Sequence, residues 1–267
     1  MAKSTPTPPN PLSGQVMFYA NPEPLDSKRH AKLGMRSTDR PFTFAVKQHF
    51  IPLHVGEFGP AGLNFPIVFA GPAYTPLAVM GLNDGENLFI SEDGLYRGGV
   101  YAPAFLRRYP FVVAKDDQAN RMVVCIDRAS DLFTEDKPDV ALFENGEPTE
   151  FTKNCVEFCT QFDLDRARTE SFVNLLKDLD LFEAKQTNYT PRLADGTNGP
   201  PQLIAEYSAV SETKLNALPA EKLVELRNSG ALTQIYAHLM SLMGFDRLVF
   251  ETIARQAAAA TPQAANA

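Results

Sequence analysis

The chain has no tryptophan, three cysteines and four histidines in 267 residues, and each scarcity removes a class of chemistry. Three cysteines cannot close an even disulfide framework. Cys155 and Cys159 fall four apart in a stretch of helical period, and with Cys125 they read as buried free thiols of a reducing compartment. The histidines, His30, His49, His54 and His238, are dispersed and lack the HxD pattern of an iron facial triad, so no metal and no cofactor is expected. In HVGE, residues 54–57, the spacing would suit one helical face. Pro52 and Gly56 argue against a helix there, and on a strand His54 and Glu57 face opposite sides.

Nucleophile elbows and phosphate cradles are missing too: no GxSxG, Walker loop or GxGxxG occurs, and no catalytic residue is assigned. Apolar runs such as FPIVFAGPAY are short and broken by proline, so no membrane span is expected. The N-terminus, MAKSTPTPPNPLSGQ, has no apolar core of a secretory leader, which predicts a cytoplasmic protein. A net charge of −7 with no basic tract argues against nucleic acid as a partner.

What the chain does have is texture. From Phe42 to Asp127 short β-branched or aromatic runs (FTFAV, FIPLHV, FPIVFA, PLAVMGL, NLFI, FVVA, RMVVCID) alternate with turns such as AGPAY, NDGEN and EDGLYRGG. These spacings leave little room for crossover helices and predict mostly antiparallel strands, with Pro52 and Pro66 on edges or strand beginnings. After residue 150 the period becomes helical: Phe151, Cys155, Phe158, Cys159 and Phe162, then Phe172, Leu175, Leu176 and Leu179. LIAEYS, 203–208, reads as a returning strand after a mobile ADGTNGPP loop. Ser211 caps a short helix, Pro219 opens another, Gly230 ends it, and a last helical run follows. The sum is α+β: disordered tails at 1–15 and 256–267 around one domain, 16–255, strand-rich over 16–148 and helix-rich over 149–255.

The stretch PAFLRRYP, 103–110, sets two permanent charges in an apolar run. Pro103 opens one helical turn, and Tyr109, ahead of Pro110, leaves it. Arg107 and Arg108 then point about 100° apart, so one faces inward and requires negative charge close by. Glu57, Glu86 and Asp93 are the candidate carboxylates, and an anionic ligand is the alternative.

The segment GLNDGENLFISEDGLYRGGVYAPAFLRRYPFVVA, Gly81 to Ala114, resembles the signature of the SapC family. IPLHVGEF, FPIVF, LFENGEPTE and VSETKLNALPAEKLVELRNSGALTQIYAHLMSLMGFDRL extend the likeness over about residues 16–250. One departure is visible: after the EDG turn this chain has Leu95 and Tyr96 where an aromatic Trp is expected. The resemblance implies a cytoplasmic bacterial accessory or binding protein without catalysis, for a small anionic ligand, a peptide or a protein partner. Its alternatives are an enzyme acting with a flavoprotein or oxygenase on an amino acid or peptide, and a surface-layer component. The expected ligand site comprises Arg107, Arg108, Glu57 to orient one guanidinium, Asn87 to hold the turn leading to Asp93, and Tyr96 and Tyr101 at the mouth.

Overall fold

A computed structural model describes residues 17–116, 121–190, 197 and 199–260. In chain order the strands are β1 Pro22–Pro24, β2 Gly34–Met35, β3 Phe50–Pro52, β4 Ile67–Ala70, β5 Thr75–Val79, β6 Phe111–Asp116 and β7 Arg121–Asp127. There follow β8 Phe133–Thr134, β9 Val140–Ala141, β10 Phe143–Glu144, β11 Glu147–Pro148, β12 Phe182–Tyr189 and β13 Gln202–Val210. The helices are α1 Phe58–Gly62, α2 Ala104–Arg107, α3 Glu150–Asp178, α4 Glu212–Asn216, α5 Ala220–Asn228, α6 Ala231–Ser241 and α7 Gly244–Ala260. Among the described residues all strand pairs are antiparallel, and the long helices lie in the C-terminal half, as α+β requires.

Contacts group the chain into two compact units, each built from two separate segments: Met1–Asp39 with Arg108–Asp163, and Arg40–Arg107 with Leu164–Ala267. In the first unit the sheet order is β1-β7-β6, and β2 is held between β8 and β9. Its core gathers Leu33, Phe111, Ile126, Phe133, Leu142 and Cys159, with Phe111 edge-on to Phe133. Gly34 is dictated by space, since a Cβ there would sit 2.4 Å from the Val140 carbonyl oxygen. Asp127, 1% exposed, ties the chain entry to this sheet. Its carboxylate accepts from the Ala20, Asn21 and Ala129 amides at 3.1, 2.8 and 3.2 Å and from the Tyr109 hydroxyl at 3.2 Å. Four donors satisfy a buried charge that would otherwise be prohibitive.

The second unit holds the five-stranded sheet β12-β13-β4-β5-β3. Pro52 does lie on the edge strand β3, and Pro66 does immediately precede β4. Phe69 of β4 packs against Phe58, Phe182 and His238, at ring-centroid distances of 6.2, 4.9 and 4.9 Å. Helix α6 is fastened to the sheet by polar groups as well. His238 Nδ1 donates to the Ile67 carbonyl (2.8 Å), its Nε2 accepts from the Val210 amide (3.1 Å), and Ser241 Oγ accepts from the Ile67 amide (2.9 Å). The histidine is therefore a core residue with both ring nitrogens satisfied.

Several elements differ from expectation for identifiable reasons. FTFAV is not a strand but a 3-10 turn at Thr43–Ala45; the Phe42 amide bonds the Gly94 carbonyl, and Gly94, with φ of 88°, has no room for a Cβ beside Thr43. The helical stretch after 150 is one 29-residue helix, and the charged segment FEAKQTNY that follows is strand β12. Pro219 sits one position earlier than expected, as the cap of α5, where its missing N–H costs nothing. The last helical run is two helices, and α7 stays helical through Ala260, beyond the 256 boundary of the expected tail. The expected tail at 1–15, residues 261–267, and most of the loop expected at ADGTNGPP lie outside the described residues.

Candidate functional site

The arginine elbow forms as the two prolines dictate. Pro103 starts the turn, with the Leu106 and Arg107 amides bonding its carbonyl, α2 lasts four residues, and Pro110 leads into β6. Arg107 is exposed and Arg108 is 9% exposed, so one guanidinium of the pair does face inward. The two belong to different units.

Arg108 finds aromatic rings. Its guanidinium carbon lies 4.3 Å from the Phe162 ring centroid and 5.8 Å from that of Tyr19. Face-on contact with a ring is a favourable way to bury a delocalised, weakly hydrated cation. Burial pulls the arginine pKa down and pushes that of the neighbouring Cys159 thiol up to about 12. Cys159 is consequently a packing residue rather than a nucleophile.

In the second unit the buried carboxylate is Glu57, 8% exposed. Its Oε1 accepts from the Ala104 amide at 2.7 Å and the Tyr101 hydroxyl at 3.0 Å, and its Oε2 accepts from the His54 amide at 2.9 Å. Glu57 thus caps the N-terminus of α2 rather than gripping a guanidinium directly. Arg107 reaches it through Tyr101: Nη2 donates to the Tyr101 oxygen at 3.4 Å, Nε to the Ala102 carbonyl at 2.9 Å. Burial, with the Glu57 charge second, pushes the Tyr101 phenol up to about 12. The Tyr96 hydroxyl completes the cluster by donating to the Tyr101 carbonyl at 2.7 Å, and the half-buried Tyr96 ring packs 5.1 Å from that of Phe42.

The structure accordingly brings Glu57, Tyr96, Tyr101 and Arg107 into one bonded cluster. Asn87 and Asp93 serve the loop that precedes it. Asn87, 2% exposed, accepts from the Phe89 and Ile90 amides and donates to the Gln48 carbonyl, and so holds this turn. Asp93 is exposed; the Ser91 hydroxyl, then Arg40, hold its carboxyl below the usual range, and Arg40 is its ion-pair partner. Glu86, the third expected carboxylate, accepts from the Asn83 amide group at 2.7 Å and lies 3.8 Å from Arg255.

The HVGE segment corrects the sequence reading. The last ladder bond of this segment is from the Leu53 amide to Pro76, after which Val55–Glu57 wind into a 3-10 turn that runs into α1. His54 and Glu57 therefore share a side, Nδ1 to Oε2 3.9 Å, instead of facing opposite ways. Pro52 is the last residue of β3, three positions ahead of the turn, and a Cβ at Gly56 would meet no neighbour, so neither residue opposes the helical path. Among the described residues no three potential metal ligands cluster.

Sequence reasoning missed the cavity beside this turn. About 670 Å³ of space is walled by Val55 and Gly56, by Leu164, Arg168 and Phe172 of α3, and by Gly230 and Gln234 at the start of α6. The Val55 amide pins the turn to α3 by bonding Thr169 Oγ1 at 2.9 Å. Arg168 pairs with Asp165 at 2.7 Å, and 70% of its side chain is exposed. The signal that could have found this wall is the row Leu164, Arg168, Ser171 and Leu175, one helical face interrupted by a single cation. Gly230, at φ of 77°, lets α5 pass into α6, and no side chain caps the new helix.

No helix among the described residues is long and apolar enough to cross a membrane. No curated protein and no solved structure matches the chain. The family model of SapC matches residues 25–248, a span that contains the elbow, the Glu57 cluster and every residue lining the cavity. The chain belongs to the SapC family.

Proposed function

We propose that this protein is a non-catalytic accessory protein of the cytoplasm that binds a small ligand with an apolar body and one negative group in the cavity beside the 54–57 turn. The observation that carries this reading is the charge of the wall: Arg168 is the one charged side chain among the lining residues, and the remaining surface is mostly apolar. The uncapped start of α6 adds partial positive charge at Gly230 and Ala231. A ligand carboxylate competes with Asp165 for the exposed Arg168, so the ionic gain is on the order of 1 kcal/mol and apolar contact supplies the rest. Glu57, Tyr101 and Arg107 act indirectly, holding α2 and the turn that forms one wall. Three free thiols, each with its pKa raised by burial, fit a reducing compartment.

Thermal melting of the full-length protein with decanoate and N-acetyl-leucine, against neutral N-acetyl-leucine amide, tests the reading. The carboxylates should raise the melting temperature and the amide should do so less. Arg168→Ala should weaken carboxylate binding about tenfold, and Ala167→Trp, which fills the cavity from its wall, should abolish it. Absence of any shift, or a shift that survives both substitutions, would defeat the proposal.

A further inference from the structure

A second concavity, about 490 Å³, lies between α1 and the α6–α7 junction. Its floor is made of small residues, Gly59, Gly62, Ala237 and Gly244; a Cβ at Gly62 would come within 3.2 Å of the Ala237 carbonyl, so the backbones approach closely there. Its rim is made of large apolar side chains in water: Leu63 is 80% exposed, Met240 71% and Met243 79%. Along the outer face of α7, Phe250 is 70% exposed. Met243, Arg247, Phe250 and Ala254 recur at intervals of four, three and four, the seam spacing of a helix that packs on another helix. All four are exposed.

We infer that this face is the interface of a two-fold homodimer, with Phe250 of each copy entering the groove of the other. Three observations select a second copy of this chain as the occupant. Knob and socket lie on the same face, because Arg247 lines the groove and Phe250 follows it by one turn of α7; a surface that carries both is self-complementary under a two-fold axis. Charge permits the approach, since Arg247 on this face is offset by Asp246 and Glu251 beside it, although the whole chain carries −7. Size fits as well. The exposed apolar side chains offer on the order of 500 Å², the size of the largest and often functional patch on a typical protein surface, and the polar flanks extend this toward the roughly 800 Å² per partner of a stable interface.

The inference is independent of the ligand cavity and is tested without any ligand. Sedimentation equilibrium or light scattering of the full-length protein at micromolar concentration should give about twice 29.4 kDa. Phe250→Glu and Met243→Glu, both at exposed positions, should each return the mass to 29.4 kDa while the far-UV spectrum and melting temperature are kept. Leu203→Glu, an exposed apolar residue of β13 away from the groove, should leave the mass doubled. Wild-type protein at 29.4 kDa throughout, or a dimer that survives both Phe250→Glu and Met243→Glu, overturns the assignment.

Discussion

Replacing His238 by leucine should cost about 4 kcal/mol in denaturant unfolding, a large share of the stability of a domain this size. The side chain is 0% exposed, and both ring nitrogens are used between neighbouring strands: Nδ1–H on the Ile67 carbonyl of β4, Nε2 on the Val210 amide of β13. An apolar replacement leaves one buried acceptor and one buried donor without partners, each worth roughly 1–3 kcal/mol, besides loosening the contact with Phe69. His238→Gln, which offers a donor and an acceptor, should cost less than half as much.

The same residue imposes a pH dependence whose sign is fixed. Burial pulls its pKa from 6.5 down to about 4, against the favourable contribution of the Ile67 bond. Between those values the unfolded chain binds a proton and the folded chain does not. Stability is therefore fully present above pH 6.5, falls as pH drops toward 4, and loses nothing further below 4 from this group. The loss amounts to about 3 kcal/mol, and the slope to about 1.4 kcal/mol per pH unit in the middle of the window. Urea titrations at pH 7 and 4.5 on wild type and His238→Gln isolate the effect, because other titrating groups are common to both. An unchanged pH slope in the variant would refute the assignment.

Glu57→Ala should be the second severe change, at about 3–4 kcal/mol. Three donors converge on this buried carboxylate, and removal strands the Ala104 and His54 amides and the Tyr101 hydroxyl together. The graded partners sharpen the test. Tyr101→Phe keeps Glu57 bonded to both amides and should cost about 1 kcal/mol, while Arg107→Ala removes an exposed cation with its bonds to the Ala102 carbonyl at 2.9 Å and the Tyr101 oxygen at 3.4 Å and should cost at most about 1 kcal/mol. If Arg107→Ala matched Glu57→Ala in cost, the elbow would be clamped by its guanidinium, contrary to the geometry. Chemical denaturation of the three variants at pH 7 decides between these outcomes.

Much of the elbow was legible in the sequence because proline acts locally. Pro103 and Pro110 constrain the backbone whatever surrounds them, so the single turn, the divergence of the two arginines and the strand after Pro110 could all be read. The partners could not be read, since they depend on distant packing. Arg108 is met by Phe162, and Glu57 by backbone amides that carry no sequence signal. FTFAV was misleading because Phe42 and Phe44 alternate like a strand, whereas a segment of this length takes whatever conformation its contact with Gly94 imposes. FEAKQTNY escaped for the opposite reason: its charges depress strand propensity, and edge strands commonly carry such charges to discourage pairing with other molecules. The cavity was invisible because its walls come from three separated segments, and only one of them, the α3 row, leaves a pattern in the sequence.

The hairpin β12–β13 reaches well past the sheet that anchors it: β13 pairs with β4 at Ser208–Phe69, whereas its pairing with β12 continues to Gln202. Amides toward the hairpin tip are thus guarded by one neighbour only, while those from Ser208 onward open with the five-stranded core. In deuterium labelling the ribbon should exchange early and as its own cooperative piece. A protease that finds this arm would clip it at a rate set by local fraying, leaving the rest of the protein intact for far longer.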